Sequence, residues 1–207
     1  MSVEALADYL KKQNIGISGI ENAGKTTISL WISKKYKIFY HHRHLKIDNF
    51  AWFNENIDNL FEKFKEAYVV EDAFKKNAKK GIIFDRGWHG YILKYLALLK
   101  DRNITVNEET IEKVIDSFPD PYEDIIIILD LGTNDKALNL SLEREENSYS
   151  SSFKMHIMHQ IEIISRYANI FKKFLDEYDI KLYYVDATKK LEEVKRKVEE
   201  ILSKQIT

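Results

Sequence analysis

Gly19-Ile20-Glu21-Asn22-Ala23-Gly24-Lys25-Thr26, followed by Thr27, limits what this chain can fold into more than any other stretch. Two glycines frame four residues, and a lysine and a hydroxyl residue follow directly. This spacing lets successive backbone N–H groups curl around the phosphates of a nucleotide. Lys25 adds a point charge there, and the Thr26 hydroxyl offers an oxygen to Mg²⁺. Asn14-Ile15-Gly16-Ile17-Ser18 in front reads as a buried strand. Thr26-Thr27-Ile28-Ser29-Leu30-Trp31-Ile32 behind reads as a helix whose positive end faces the anion. A bland Gly-containing turn is the competing reading, and the strand–loop–helix context argues against it. The expected cradle comprises Gly19, Asn22, Ala23, Gly24, Lys25, Thr26 and Thr27.

The rest of the chain continues the alternation of strand and helix. A short amphipathic helix over 3–12 precedes the first strand, and the helix after the phosphate loop runs to about Lys35. A second strand is expected over Tyr36-Lys37-Ile38-Phe39-Tyr40, running into His41-His42-Arg43-His44. A helix follows from about 56 to 80, then strand Gly81-Ile82-Ile83-Phe84-Asp85 and helices over 88–100 and 107–118. The latter is stopped by Pro119-Asp120-Pro121. Ile125-Ile126-Ile127-Ile128-Leu129-Asp130 has no alternation, as a strand covered on both faces requires. A helix over 135–145, the polar Glu146-Asn147-Ser148-Tyr149-Ser150-Ser151-Ser152, a long helix to about 178, a strand over 180–185 and a helix over 191–203 complete the chain. The pattern predicts an α/β fold with a parallel sheet of about five strands and helices on both faces. With 207 residues and no long linker, it predicts one domain over 1–207. Its short lid falls at about 144–153, around the Ser-rich stretch.

Composition excludes several classes. Lys+Arg 32 against Asp+Glu 33 disfavours a general nucleic-acid binder. The absence of cysteine excludes disulfides, thiolate metal sites and cysteine nucleophiles. No apolar run reaches membrane-spanning length and the first residues lack a basic-then-apolar leader, so no membrane partner and a cytoplasmic location are expected.

Ligands of such sheets gather at the carboxyl ends of the strands, and the chemistry-bearing residues fall there. Asp85-Arg86-Gly87 closes the third strand. A carboxylate at Asp85 can hold Mg²⁺ through water or orient an acceptor oxygen, and Arg86 can fork onto a phosphate. An ion-paired strand terminus is the alternative. Arg144, at the end of Leu138-Asn139-Leu140-Ser141-Leu142-Glu143, can swing over a transferred phosphoryl or can form a surface salt bridge with its Glu neighbours. In His41-His42-Arg43-His44, no third zinc ligand is evident, so an anionic acceptor held by Arg43 and Lys46 is preferred over zinc or a polar strand exit. His156 and His159, three apart with Glu162 one turn on, read as a hydrogen-bonded pair rather than a metal site. Trp52, Phe53, Phe61 and Phe64 form a base platform or simply pack.

Taken together, these motifs resemble the thymidylate kinase branch of the phosphate-loop (P-loop NTPase) kinases, which includes the deoxynucleoside kinases, over about residues 13–202. Gly19-Ile20-Glu21-Asn22-Ala23-Gly24-Lys25-Thr26-Thr27 is close to the Gly-x-Glu-Gly-Ala-Gly-Lys-Thr-Thr of bacterial-type thymidylate kinases. Asp85-Arg86 is similar to their Asp-Arg-aromatic motif, and Pro119-Asp120 with the strand to Asp130 to their Pro-Asp-strand-Leu-Asp segment. Val185-Asp186-Ala187-Thr188 is similar to their last strand and adenine-flanking loop. The resemblance implies ATP and Mg²⁺ as cofactors, Lys25 and Arg144 on the transferred phosphoryl, and Thr26 with Asp85 at metal and acceptor. It also implies Glu21 on the acceptor sugar, Arg86 on its phosphate, Ala187 and Thr188 at the ATP base, and a possible homodimer. The chain departs from the pattern on the acceptor side. Gly87 replaces an aromatic, the Arg-Glu-Pro-Gly motif after strand two is missing, and Lys63 or Lys65 is the nearest cation on the acceptor helix.

The expected reaction is transfer of the ATP γ-phosphoryl to a deoxynucleoside monophosphate, dTMP to dTDP foremost. A deoxynucleoside kinase is the alternative, because Met155-His156-Ile157-Met158-His159-Gln160 is similar to a Leu-His-x-x-His-Glu segment of those enzymes. A kinase of another small or polynucleotide acceptor is a variant of it. An ATP-binding protein with little transfer is the third. Asn134-Asp135-Lys136 lacks the order of a guanine-selecting motif.

Overall fold

The isoleucine run forms the centre of a sheet: β4 (Ile125–Asp130) is buried from Ile125 to Leu129. The computed structural model describes residues 3–42, 56–77, 80–132, 135–143 and 151–206. With β1 (Ile15–Gly19), β2 (Phe39–His42), β3 (Ile82–Asp85) and β5 (Lys181–Asp186), β4 makes a five-stranded sheet in the order β2-β3-β1-β4-β5. Every pairing is parallel. Parallel neighbours need crossover connections. These are α2 (Lys25–Tyr36), α3 (Ile57–Asn77), α4 (Trp88–Asp101) with α5 (Glu108–Ser117), and α6 (Asp135–Glu143) with α7 (Ser151–Glu177). Helix α1 (Val3–Leu10) precedes the sheet, and α8 (Leu191–Ser203) with a 3₁₀ turn at Lys204–Ile206 closes the described chain. No described helix is long and apolar enough to cross a membrane.

The second strand starts later than the sequence predicts. Tyr36 ends α2 rather than opening β2, and Lys37 caps the helix in the left-handed region at φ 54. Tyr36 is 1% exposed, and its hydroxyl donates to Glu199 of α8 at 2.6 Å. The β propensity of Tyr36-Lys37-Ile38 yields to this tertiary anchor.

Buried side chains form one core that includes Ile15, Phe64, Trp88, Ile127 and Phe171. The Trp88 ring stacks on Phe174 at 5.0 Å. Phe64, a candidate base platform in the sequence, is fully buried between Tyr91 and Tyr95, so packing is its role here. The other platform candidates Trp52 and Phe53 lie outside the described residues.

The turn that leaves β3 is shaped by a buried carboxylate. Glu123, 2% exposed, accepts through Oε1 from the Trp88 N–H at 2.9 Å and through Oε2 from the Tyr122 N–H at 3.1 Å. It thereby satisfies a donor at the start of α4 that the helix itself leaves open. A Cβ at residue 87 would stand 2.4 Å from Glu123 Oε1. That contact explains why glycine replaces the aromatic expected after Asp85-Arg86.

Beneath β1, His89 is fully buried, its Nδ1 hydrogen-bonded to Ser18 Oγ at 2.8 Å and its ring against Phe171. Burial pushes its imidazole down to about 3.

Two predictions follow from this packing. Gly87→Ala drives Cβ into the Glu123 carboxylate and should destabilise the fold by about 2 kcal/mol or more. A urea midpoint equal to that of the parent protein would show that the turn yields freely. His89 takes up a proton far more readily unfolded than folded. Stability is therefore fully present above about pH 6.5 and is lost as pH falls towards 3, by up to about 1.4 kcal/mol per unit. Urea titrations between pH 7 and 5 should show this slope, and His89→Asn, which keeps a hydrogen-bonding group but no titration, should flatten it.

Candidate functional site

β1 delivers the phosphate loop at its carboxyl end. Gly19 adopts φ 137, and a Cβ there would stand 2.5 Å from the Leu129 carbonyl oxygen. Gly24 adopts φ 95 at the N-cap of α2, and Asn22 joins the loop at φ 59. The free N–H groups of α2 thus open onto the loop, where an anion is favoured. Lys25 folds back, 6% exposed, and donates to the carbonyls of Gly19 at 3.1 Å and Ile20 at 2.5 Å. Burial draws its ammonium down to about 8; the Glu21 and Asp85 carboxylates only partly offset this, and Arg86 and Lys94 reinforce it.

At the end of β3, Asp85 is 1% exposed and gathers three partners on Oδ2. Thr26 Oγ1 donates at 2.5 Å, Tyr40 OH donates at 3.2 Å, and His42 Nδ1 lies at 2.8 Å. Asp85 Oδ1 is buried without a hydrogen-bond partner among the described residues. Thr26 and Asp85 present hydroxyl and carboxylate oxygens, the hard donors that suit Mg²⁺. Tyr40 is pushed up to about 12 by burial and by the Asp85 charge. Tyr40 and His42 pair with each other as well, at 2.8 Å, so the strand β2 exit joins the Asp85 cluster.

Arg86 holds φ 77, rare outside glycine, and its N–H donates to the Ile17 carbonyl at 3.0 Å. This strained turn aims the guanidinium at the loop, where Nη2 donates to Glu21 Oε2 at 2.8 Å. Lys94 of α4 reaches Glu21 Oε1 at 3.5 Å, and Lys25 stands 4.0 Å from Oε2. Burial alone would push the Glu21 carboxyl up. Lys94, Arg86 and Lys25 together outweigh it and hold the group well below the usual carboxylate range.

One cavity of the cleft is lined by the loop from Glu21 to Thr27, together with Arg86, Ala187, Lys189, Leu191 and Val194, and encloses about 470 Å³. That volume suits a small-molecule ligand. Ala187 lies at this wall. Thr188 turns its hydroxyl and N–H onto Asp186 Oδ1, at 2.6 and 2.9 Å. A second, smaller cavity beside it is lined by Gly19, Glu21, Arg86, Gly90, Lys94 and Gln160, among others.

The structure brings together Gly19, Glu21, Asn22, Ala23, Gly24, Lys25, Thr26, Thr27, Asp85, Arg86 and Ala187. Arg144, Arg43 and Lys46 lie outside the described residues, as does most of the expected lid. Lys65 pairs with Glu62 at 2.9 Å rather than reaching the cleft. Among the described residues no cluster of three or more His, Cys, Asp or Glu is arranged for a metal ion. His156 and His159 instead hydrogen-bond through Nδ1 to the two oxygens of Asp101, at 2.6 and 2.7 Å. Sequence reasoning missed Lys94, Gln160, Ser141, Lys189 and Leu191. Lys94 carries a legible signal, a lone cation inside Ile92-Leu93-Lys94-Tyr95-Leu96 on an otherwise apolar helix.

No protein-family model matches the chain, and no curated protein matches it in sequence. Solved structures do match it in fold. A deoxyadenosine kinase from M. mycoides with bound dATP aligns with TM-score 0.63 at 19% identity, covering 92% of this chain and 99% of that one. The same enzyme with products dCMP and a flexible dCDP aligns with TM-score 0.58 at 18% identity, over 92% and 98%. With bound dCTP it aligns with TM-score 0.55 at 21% identity, over 92% and 99%. The α/β fold read from the sequence, a five-stranded parallel sheet flanked by helices, is the fold of the chain and is shared with these structures.

The Lys25 ammonium near 8 has a direct consequence for phosphate binding. Protonated Lys25 attracts a polyphosphate and neutral Lys25 does not. The affinity for added ATP should be flat below about pH 8 and weaken as pH rises above it. Calorimetric titrations from pH 6.5 to 9.5 test this, and Lys25→Arg, charged throughout, should remove the dependence. An unchanged affinity in the parent protein at pH 9.5 would mean the ammonium is not the group that meets the phosphates.

Proposed function

We propose that this chain is an ATP-dependent kinase of deoxynucleosides. The observation that carries this reading is the state of the acceptor-side cations. Arg86, the residue expected to hold an acceptor phosphate, is engaged with an ionised Glu21, and Lys94 is drawn to the same carboxylate. A dianionic acceptor would have to compete with Glu21 for both cations and leave the buried carboxylate with only Lys25, 4.0 Å away, as a charged partner, at a cost of several kcal/mol. A neutral sugar hydroxyl instead finds an acceptor for its proton in Glu21 or Asp85. The fold shared with deoxyadenosine kinases supports the same reading.

In the reaction, the hydroxyl oxygen of the deoxynucleoside attacks the γ-phosphorus and the bond to the β-phosphate oxygen breaks. ADP leaves, and the hydroxyl proton passes to a carboxylate. The backbone of 22–27 and Lys25 bind the phosphates, Leu191, Val194 and Ala187 flank the base, and Arg144 neutralises charge on the transferred group. Thr26 and Asp85 would hold Mg²⁺, which would supply positive charge to offset that of the phosphates. Residues 144–153 act as the lid of one domain spanning 1–207.

A nucleoside monophosphate kinase, with dTMP as acceptor, is the second reading. What favours it is that Arg86 and Lys94 form a ready cationic pair, should Glu21 swing away. Phosphoryl transfer from ATP, scanned across deoxynucleosides and their monophosphates, separates the two. Transfer to one or more deoxynucleosides, lowered at least a hundredfold in Lys25→Ala, is expected. Transfer to monophosphates alone would overturn the proposal in favour of the second reading, and ATP binding without transfer would leave a binding protein.

A further inference from the structure

The backbone of Glu21 is gripped from two helices that the phosphate-loop motif does not include. Its N–H donates to Gln160 Oε1 of α7 at 3.1 Å, and its carbonyl accepts from Ser141 Oγ of α6 at 2.8 Å. Asn22 Nδ2 adds a bond to the Ser141 carbonyl at 3.1 Å. Gln160 is 2% exposed and Ser141 fully buried. These are interior contacts, 139 and 120 residues away in sequence from the Glu21 that they hold.

Hydrogen-bond chemistry fixes the direction of everything behind Gln160. A backbone N–H only donates, so the Gln160 oxygen must face Glu21 and its NH₂ must face away. That NH₂ lies 2.9 Å from His156 Nε2, which must therefore accept and carry its proton on Nδ1. Nδ1 then donates to Asp101 Oδ2, while His159 donates to Oδ1 and keeps the carboxylate from turning. Asp101 is 3% exposed at the end of α4, the helix that also carries Lys94. Each donor in the series has one acceptor, with no alternative that satisfies Glu21 N–H.

We propose that Gln160, oriented by His156 and Asp101, and Ser141 are positioning residues that hold Glu21 in register with Arg86 and Lys94. The inference rests on the deoxynucleoside-kinase reading for what Glu21 does, but not for how it is held. The two gripping residues sit on the helices on either side of 144–150. Helices α6 and α7 are thus both tied to the loop at Glu21. ATP is bound by the following residues, from Asn22 to Thr27, so loss of the latch affects the acceptor more than ATP.

The test uses the full chain with Gln160→Met, which keeps length and volume but cannot accept from Glu21, and His156→Phe, which never touches the loop. Two quantities are read: amide exchange of Glu21 by NMR, and the acceptor KM set against the ATP Kd. Gln160→Met should speed Glu21 exchange about tenfold and raise the acceptor KM about tenfold, with ATP Kd within twofold. His156→Phe should move both in the same direction by about threefold. Unchanged Glu21 exchange in either folded variant would overturn the latch. So would an ATP Kd and acceptor KM that worsen together with the melting temperature, since that is what a merely structural role produces. If the parent protein phosphorylates no nucleoside, the functional reading fails separately, and Glu21 exchange alone decides whether the latch exists.

Discussion

The site depends on keeping the Glu21 carboxylate charged while only 13% of its side chain is exposed. Removing such a group from water costs several kcal/mol, and only well-placed partners offset it. The partners come from separate elements: Arg86 from the end of β3, Lys94 from α4, Lys25 from the loop itself. Glu21 therefore ties the phosphate loop to the neighbouring strand and helix by charge, where backbone hydrogen bonds alone would leave the loop attached mainly through β1 and α2. Against the three cations stand two carboxylates, Glu21 and Asp85. Among these five groups one positive charge is in excess, at the place where the loop's N–H groups already favour anions. The Lys25 ammonium is lowered first by burial, and the neighbouring Arg86 and Lys94 add to that.

Sheet order decides that these residues can meet. β1 lies between β3 and β4, so the chain leaves the sheet centre in two directions and opens a crevice at the carboxyl ends there. Asp85 comes into line with Ile17 by the β1–β3 register, and Thr26 on the first turn of α2 reaches back to its carboxylate. β2 adds His42 directly beside Asp85. The strands contribute chemistry at or near their last residues, with Tyr40 of β2 the one that reaches the Asp85 cluster from further back. Residues before the strand ends, such as Ile83, Phe84 and Ile127, are committed to the core.

Much of this was legible in the chain because it is local. The phosphate loop declares itself through glycine spacing, and β4 through an unbroken apolar run that only a strand covered on both faces tolerates. Elements with clear periodicity, α4 and α7 among them, fall where the pattern places them. The start of β2 was misread because Tyr36 has strand propensity but is held in a helix by Glu199, a residue far along the chain. The same limit applies to the site. Asp85-Arg86 follows from its place at a strand end, yet nothing near Arg86 says that its partner is Glu21. The resemblance assigned Arg86 to an acceptor phosphate, and the carboxylate that already occupies it is visible only in three dimensions. Glu123 is a further case: it makes residue 87 a glycine from across the core, and no local pattern contains both.

Long-range side-chain contacts also explain why sequence similarity and fold similarity part here. A strand-loop-helix unit needs few specified residues, so the fold persists at 19% identity to a deoxyadenosine kinase. What surrounds the loop is specified by pairs, so a change in one member removes the partner that the other relies on. Gly87 with Glu123, and Gln160 with His156 and Asp101, are such sets. Each sits one contact away from Arg86 or Glu21. A substitution in one member therefore reaches the cleft through its partner, and the acceptor side, where these sets converge, is the side on which the chain departs from the motifs that it otherwise resembles.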